Sequence, residues 1–194
     1  AIESLANNGN IDTIVPLLDY TSSNSPGYSF FNTFINTEAG NGYLQRFFLG
    51  RDTSSTGKQV SVDQLQLDAT TFDNQRISIF APTCIQITTS NQATNQQVNI
   101  PGYYAAAAVA GVYANLPGPQ DPLTHQTVTG FFTIPNPYSN QEMLTLQSSG
   151  VVVLKQRNTG DIYVRHGLTT NVSNWLTQEI SIIAAQDQLY RIIK

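Results

Sequence analysis

The sequence predicts an α/β protein, with α+β as the alternative: a mixed β-sheet with helices packed on it, plus β-hairpins. Three observations predict it. Arg76–Pro82, "RISIFAP", is a continuous apolar run closed by proline, the pattern of a strand buried on both faces. Two segments, Pro101 to Leu116 and Ser139 to Gly150, carry helix punctuation. Asn41-Gly42 and Asn158-Thr159-Gly160 are turn signals set between apolar runs. Hairpins, a central strand and helices in alternation form a layered domain, and 194 residues suffice to bury its core.

Taken in order, Ala1 to Asn24 reads as a leading strand or linker around Ile14, Val15, Leu17 and Leu18. Tyr28, Phe30 and Phe34 suggest an aromatic strand running to Glu38, which Asn41-Gly42 would pair with a second strand, Tyr43 to Leu49. Arg51 to Lys58 is loop by composition. "VSVDQLQLDATTF" reads as a short helix with Val62, Leu65 and Leu67 inward. Arg76–Pro82 belongs in the middle of the sheet, and "TTSNQATNQQ" after it reads as a polar connection.

Pro101 then opens a helix where a missing amide costs nothing. Val109, Val112, Tyr113 and Leu116 follow helical spacing, while the alanines and Gly111 imply close approach to a neighbour. Pro117 and Pro119 end it. Ser139 and Glu142 spell a capping box, Met143, Leu144 and Leu146 form the apolar side, and Gly150 sits at a left-handed cap. "VVVLKQRNTGDIYVRHG" is a hairpin, and the chain closes with a strand from Leu176 to Ile182 passing into a helix that holds Leu189, Ile192 and Ile193. The expected division is 1–24 as a leading segment, 25–170 as the α/β domain and 171–194 as the lead into a truncated C-terminal domain.

Composition narrows the function. Charged residues make up 11% of the chain, against roughly 25% in ordinary soluble domains. A net charge of −4 without a Lys/Arg cluster argues against nucleic acid or an anionic membrane as partner. The longest apolar stretch, Tyr103 to Leu116, is too short to span a bilayer. Cys84 alone makes neither an internal disulfide nor a thiolate metal site. Absence of an initiating methionine and the apolar closing helix are the signs of a fragment.

Reactive groups are sparse. Cys84 follows a buried strand, where a nucleophile can sit with His125 or His166 as base; a lone buried cysteine more commonly serves as a small hydrophobe. The two histidines stand 41 positions apart, His125 as a loop hydrogen-bonder and His166 at a strand end. Glu38, Asp63, Asp68, Asp121, Glu142 and Asp161 are available carboxylates, but spacing selects no pair for glycoside chemistry. No glycine-rich phosphate loop and no nucleophile elbow occur. No catalytic, cofactor or metal residue is assigned, and no cofactor is expected.

The order of motifs from about residue 25 to 194 resembles the tail sheath proteins of contractile phage tails. "IPGYYAAAAVAGVYANLPGPQDPLTHQTVTGF", "SNQEMLTLQSSGVVVLKQRNTGDIYVRHGLTT" and "NWLTQEISIIAAQDQLYRII" follow that family's helix, proline loop, short helix, hairpin and closing elements. "YSFFNTFINTEAGNGYLQRFFLGRD" resembles its opening hairpin and "RISIFAP" its central strand. The segment from Pro82 to Pro101 departs from it, being shorter and more polar. The polar richness suggests a large phage of the phiKZ kind. The resemblance implies a structural virion protein without enzymatic activity, assembled in the host cytoplasm. Its partners would be other sheath subunits in a helical assembly, with tube and baseplate in the full-length protein. The fragment by itself is expected to be monomeric. A pyocin-type or toxin-delivery particle would share these features, and a carbohydrate-binding adhesin module is the reading from another class.

Overall fold

The computed structural model describes residues 5, 6, 8, 11–91 and 94–193. Its elements, in chain order, are β1 Thr13–Ile14, α1 Gly27–Gly40, β2 Arg46–Gly50, α2 Val62–Phe72, β3 Ile77–Ala81, β4 Cys84–Asn91, β5 Thr94–Pro101 and α3 Gly102–Ala114. They continue with β6 Thr127–Val128, α4 Asn140–Ser148, β7 Val151–Gln156, β8 Ile162–Val164, α5 Trp175–Gln178 and α6 Ile180–Ile193. Six strands form one mixed sheet in the order β1-β2-β3-β7-β8-β6. β1, β2, β3 and β7 are parallel, while β8 runs antiparallel to both β7 and β6. The expected α/β architecture is the observed one.

Because alternate side chains of a strand point to opposite faces, each buried strand feeds two cores. Phe47, Leu49, Ile77, Ile79, Val151 and Val153 meet Phe31, Ile35, Leu65, Phe72, Met143 and Leu146 from α1, α2 and α4. On the other face Phe48, Phe80, Val152 and Leu154 meet Ala105, Ala106 and Val109 of α3. All five residues of β3, Ser78 included, are buried, as expected of a mostly apolar strand covered on both sides.

The alanine helix lies flush on the sheet as its composition implies, but the close approach is made at its start and not at Gly111, which is exposed. A Cβ on Gly102 would stand 2.5 Å from the Pro82 carbonyl oxygen, and one on Gly50 2.5 Å from the Tyr103 Cα. The Gly102 amide donates to the carbonyls of Arg51 and Thr83 at 2.8 and 2.9 Å. In α4 the Ser139 hydroxyl accepts from the Glu142 amide and the Glu142 carboxylate from the Ser139 amide, closing the capping box. Gly150, at φ +84, supplies the left-handed cap.

Three assignments are corrected. Residues 27–40 are helix, not strand: Phe31, Phe34, Ile35 and Glu38 are the buried positions, a 3.6-residue period rather than alternation. Gly42 does turn the chain, at φ +87, but β2 pairs parallel with β1 and no hairpin forms there. The polar segment after β3 is an antiparallel ribbon, β4 against β5: the paired Ile85 and Ile100 anchor its base in the α3-side core, and Thr, Gln and Asn continue the ladder beyond it. Residues 175–182 are helical, with a single bridge from Leu168 to Glu179 as the remnant of the expected strand. Within the helices read correctly, Leu67 and Leu144 face solvent at 59% and 50% exposure.

Candidate functional site

Of the groups that sequence spacing offered for chemistry, the structure brings the two histidines near each other, close enough for His125 to act on His166, and sets Cys84 in a different part of the fold on β4. Cys84 opens β4 fully buried, its backbone held by the Gln59 side-chain amide, which also bonds the Thr83 amide and the Pro135 carbonyl. Burial, and then the negative charge of Asp52, push its thiol up, the opposite of what an attacking thiolate needs. His125 sits in a loop at φ +67 with its ring 6.1 Å from that of Tyr163. His166 lies two residues beyond β8, and partial burial, followed by the neighbouring Arg165, lowers its pKa.

The carboxylates have structural partners. Asp68 accepts from the hydroxyls of Tyr20 and Tyr28 at 2.8 Å each, from Gln64 at 2.9 Å and from Arg51 at 3.1 Å. Burial first, and then this carboxylate, hold both tyrosines protonated far above the ordinary phenol range. Glu142 serves the α4 cap. Asp161 accepts the Thr159 hydroxyl in the β7–β8 turn, and Asp63 lies in the first turn of α2. Glu38 is buried on α1, and at Asp121 the backbone amide, not the carboxylate, donates to the Gly118 carbonyl in the proline loop at 3.0 Å. Among the described residues no three His, Cys, Asp or Glu side chains are placed to hold a metal ion, and no helix is long and apolar enough to cross a membrane.

A second charge cluster had no signature in sequence spacing. Asp187 of α6 takes a two-point grip from Arg76, at 2.6 and 2.8 Å, and a further bond from Arg46 at 2.8 Å. Both arginines stand at the starts of adjacent parallel strands, and all three side chains are more than nine-tenths buried. The Arg46 guanidinium also lies 5.2 Å from the centre of the Tyr113 ring on α3. Arg191, one turn further along α6, pairs with Asp12 beside β1. These contacts clamp α6 to the end of the sheet through Ile180, Ile183, Ala184 and Asp187. The only sequence trace of the clamp is one acid within an otherwise apolar helical period.

At 100° per residue, Ile182, Ala185, Leu189, Ile192 and Ile193 fall on the opposite side of α6. Leu189, Ile192 and Ile193 are 58%, 73% and 75% exposed, and the first three positions of this stripe border a shallow groove of about 340 Å³ with Gln120. α6 thus carries apolar side chains on two opposed faces, one packed on the sheet and one exposed. A cleft of about 620 Å³ runs between residues 58–63 and α4, lined by polar side chains together with Val60, Val62, Pro137 and Tyr138.

No protein-family model matches the chain. A tail sheath protein of Mycobacterium phage Bxz1 is 29% identical over 159 residues, 81% of this chain and 26% of the phage protein. The chain therefore spans about a quarter of the length of that relative. Among solved structures, the sheath tail protein of Desulfitobacterium hafniense superposes with a TM-score of 0.64 at 14% identity, covering 94% of this chain and 39% of that one. The sheath tail protein of Listeria innocua gives 0.61 at 16% identity, over 91% and 35% of the two chains. The contracted sheath complex of an extracellular contractile injection system, PVC, gives 0.58 at 11%, over 84% and 43%. The fold is that of a tail sheath domain.

Proposed function

We propose that the chain is the α/β portion of a contractile tail sheath subunit, which surrounds a tail tube and drives it through the bacterial envelope. The observation that carries the reading is the agreement of sequence and fold on one kind of protein: 29% identity to a phage tail sheath protein and a sheath-domain superposition covering 94% of the chain. The work of such a subunit comes from two packings of different free energy and requires no fuel site. A buried protonated thiol and carboxylates spent on caps and clamps fit a role without catalysis. Segments 1–24 and 171–194 are, on this reading, where the 25–170 domain joins the rest of the longer polypeptide. Subunits contact one another in an open helical array, meet tube and baseplate in the virion, and assemble in the host cytoplasm, while the 194-residue chain alone stays monomeric.

Expression of the full-length protein followed by electron microscopy tests this: hollow tubes with helical striation are expected. A full-length protein that remains monomeric at every salt and concentration, or that hydrolyses a substrate at a defined centre, sinks the proposal. Superposition on the sheaths of injection particles makes a toxin-delivery machine the second reading. The sequence relative is a phage protein, which favours the virion.

A further inference from the structure

Four lysine and arginine side chains take no part in an ion pair among the described residues: Lys58, Lys155, Arg157 and Arg165. Three of the four stand on the β7–β8 hairpin. Lys155 pairs across the ladder with Tyr163, and Arg165, two residues on, shares the Tyr163 face. The Arg157 guanidinium lies 4.5 Å from the centre of the same ring. Both histidines adjoin this unit, His125 against Tyr163 and His166 beside Arg165. With Asp161 in the turn as the one acid between Lys155 and Arg165, the hairpin is a net-positive patch with an aromatic floor in a protein whose net charge is −4.

The counterpart lies across the same sheet. Asp19 and Asp52 follow β1 and β2, linked by the Asp52 amide donating to the Asp19 carboxylate at 3.2 Å, and neither carboxylate has a cationic partner among the described residues. In the strand order β1-β2-β3-β7-β8-β6 the acidic loops belong to one lateral half and the basic hairpin to the other. Two strand spacings separate β2 from β7, which carries Lys155 and leads into Arg157, roughly 10 Å, about one Debye length at physiological salt, and among the described residues no ion pair joins the two groups within the molecule. The charges are thus left without an ion-pair partner among the described residues and are complementary between copies.

We propose that the β7–β8 hairpin of one copy docks on the Asp19/Asp52 loops of the next, a head-to-tail contact between opposite halves of the sheet. This rests on the sheath reading and names one of its intersubunit surfaces. A heterologous contact of this kind continues indefinitely where an isologous one closes, and charge sets its register and partner choice more than its raw strength.

The test uses the full-length protein, with tube formation followed by sedimentation and electron microscopy. Lys155→Glu with Arg157→Glu is expected to raise the concentration needed for tubes by about tenfold or more. Asp19→Lys with Asp52→Lys should do the same, and the four changes together should restore assembly. Thermal unfolding of the same variants guards against loss of fold, and Arg157→Gln offers a milder change at the exposed position. Tubes forming from the first variant at the wild-type concentration and salt overturn the proposal. So does failure of the combined variant to recover, or a defect confined to binding of the tube protein, which would make the hairpin tube-facing. Absence of tubes from the wild type removes the sheath reading itself, a result distinct from all of these.

Discussion

Removing the carboxylate at position 187 would leave the guanidiniums of Arg46 and Arg76 buried without a counter-charge. Breaking a buried pair from one side costs about 3–5 kcal/mol, mostly the uncompensated charge, so Asp187→Asn should lower the urea midpoint of unfolding by a corresponding amount. The Glu142 carboxyl is different in kind. The Ser139 hydroxyl and amide hold it below its ordinary value, so its contribution is present above the ordinary carboxylate pKa and is lost as pH falls through the lowered one. Glu142→Gln should therefore be less stable than wild type at pH 7 and should lose that difference by pH 3, as measured by thermal melts across the range. Ser139 and Glu142 were legible because three residues separate them. Asp187 was not, since its partners lie 141 and 111 positions away and no local spacing encodes them.

Two glycines in α3 have opposite meanings. Gly102 faces backbone at 2.5 Å, while Gly111 faces open space. Gly102→Ala must displace the Pro82–Thr83 turn and should cost about 2–3 kcal/mol, lowering Tm by about 5–10 °C. Gly111→Ala gains helix propensity and should stabilise by about 0.5–1 kcal/mol; differential scanning calorimetry of both checks the pair. The sequence marked this helix as tightly packed through its alanines, yet placed the contact at the wrong glycine, because the approach is made by Gly50 of β2, distant in the chain. α1 shows the same limit. Its aromatic residues have strand preference, and burial of Phe31, Phe34 and Ile35 against Phe47 and Leu49 overrides it.

Across the described residues, two sheet faces are closed by helices, and α6 keeps an uncovered apolar side. Leu189→Asp should leave the unfolding free energy of the 194-residue chain within about 0.5 kcal/mol, because the position is exposed. In the longer protein the same change should block tube formation if that side is covered there, which sedimentation of the two proteins side by side will show. The sequence by itself determined the central strand, the α4 cap and the β7–β8 turn, because these depend on residues within a few positions of one another, and through the order of such motifs along the chain the class of fold and the kind of protein resembled. Only the tertiary structure decided that residues 27–40 coil, that the polar segment pairs as a ribbon, and that Asp187 and Asp68 gather charged and phenolic partners. Each of those outcomes is set by which surfaces meet in space, where burial and desolvation outweigh the small preferences of a local stretch of chain.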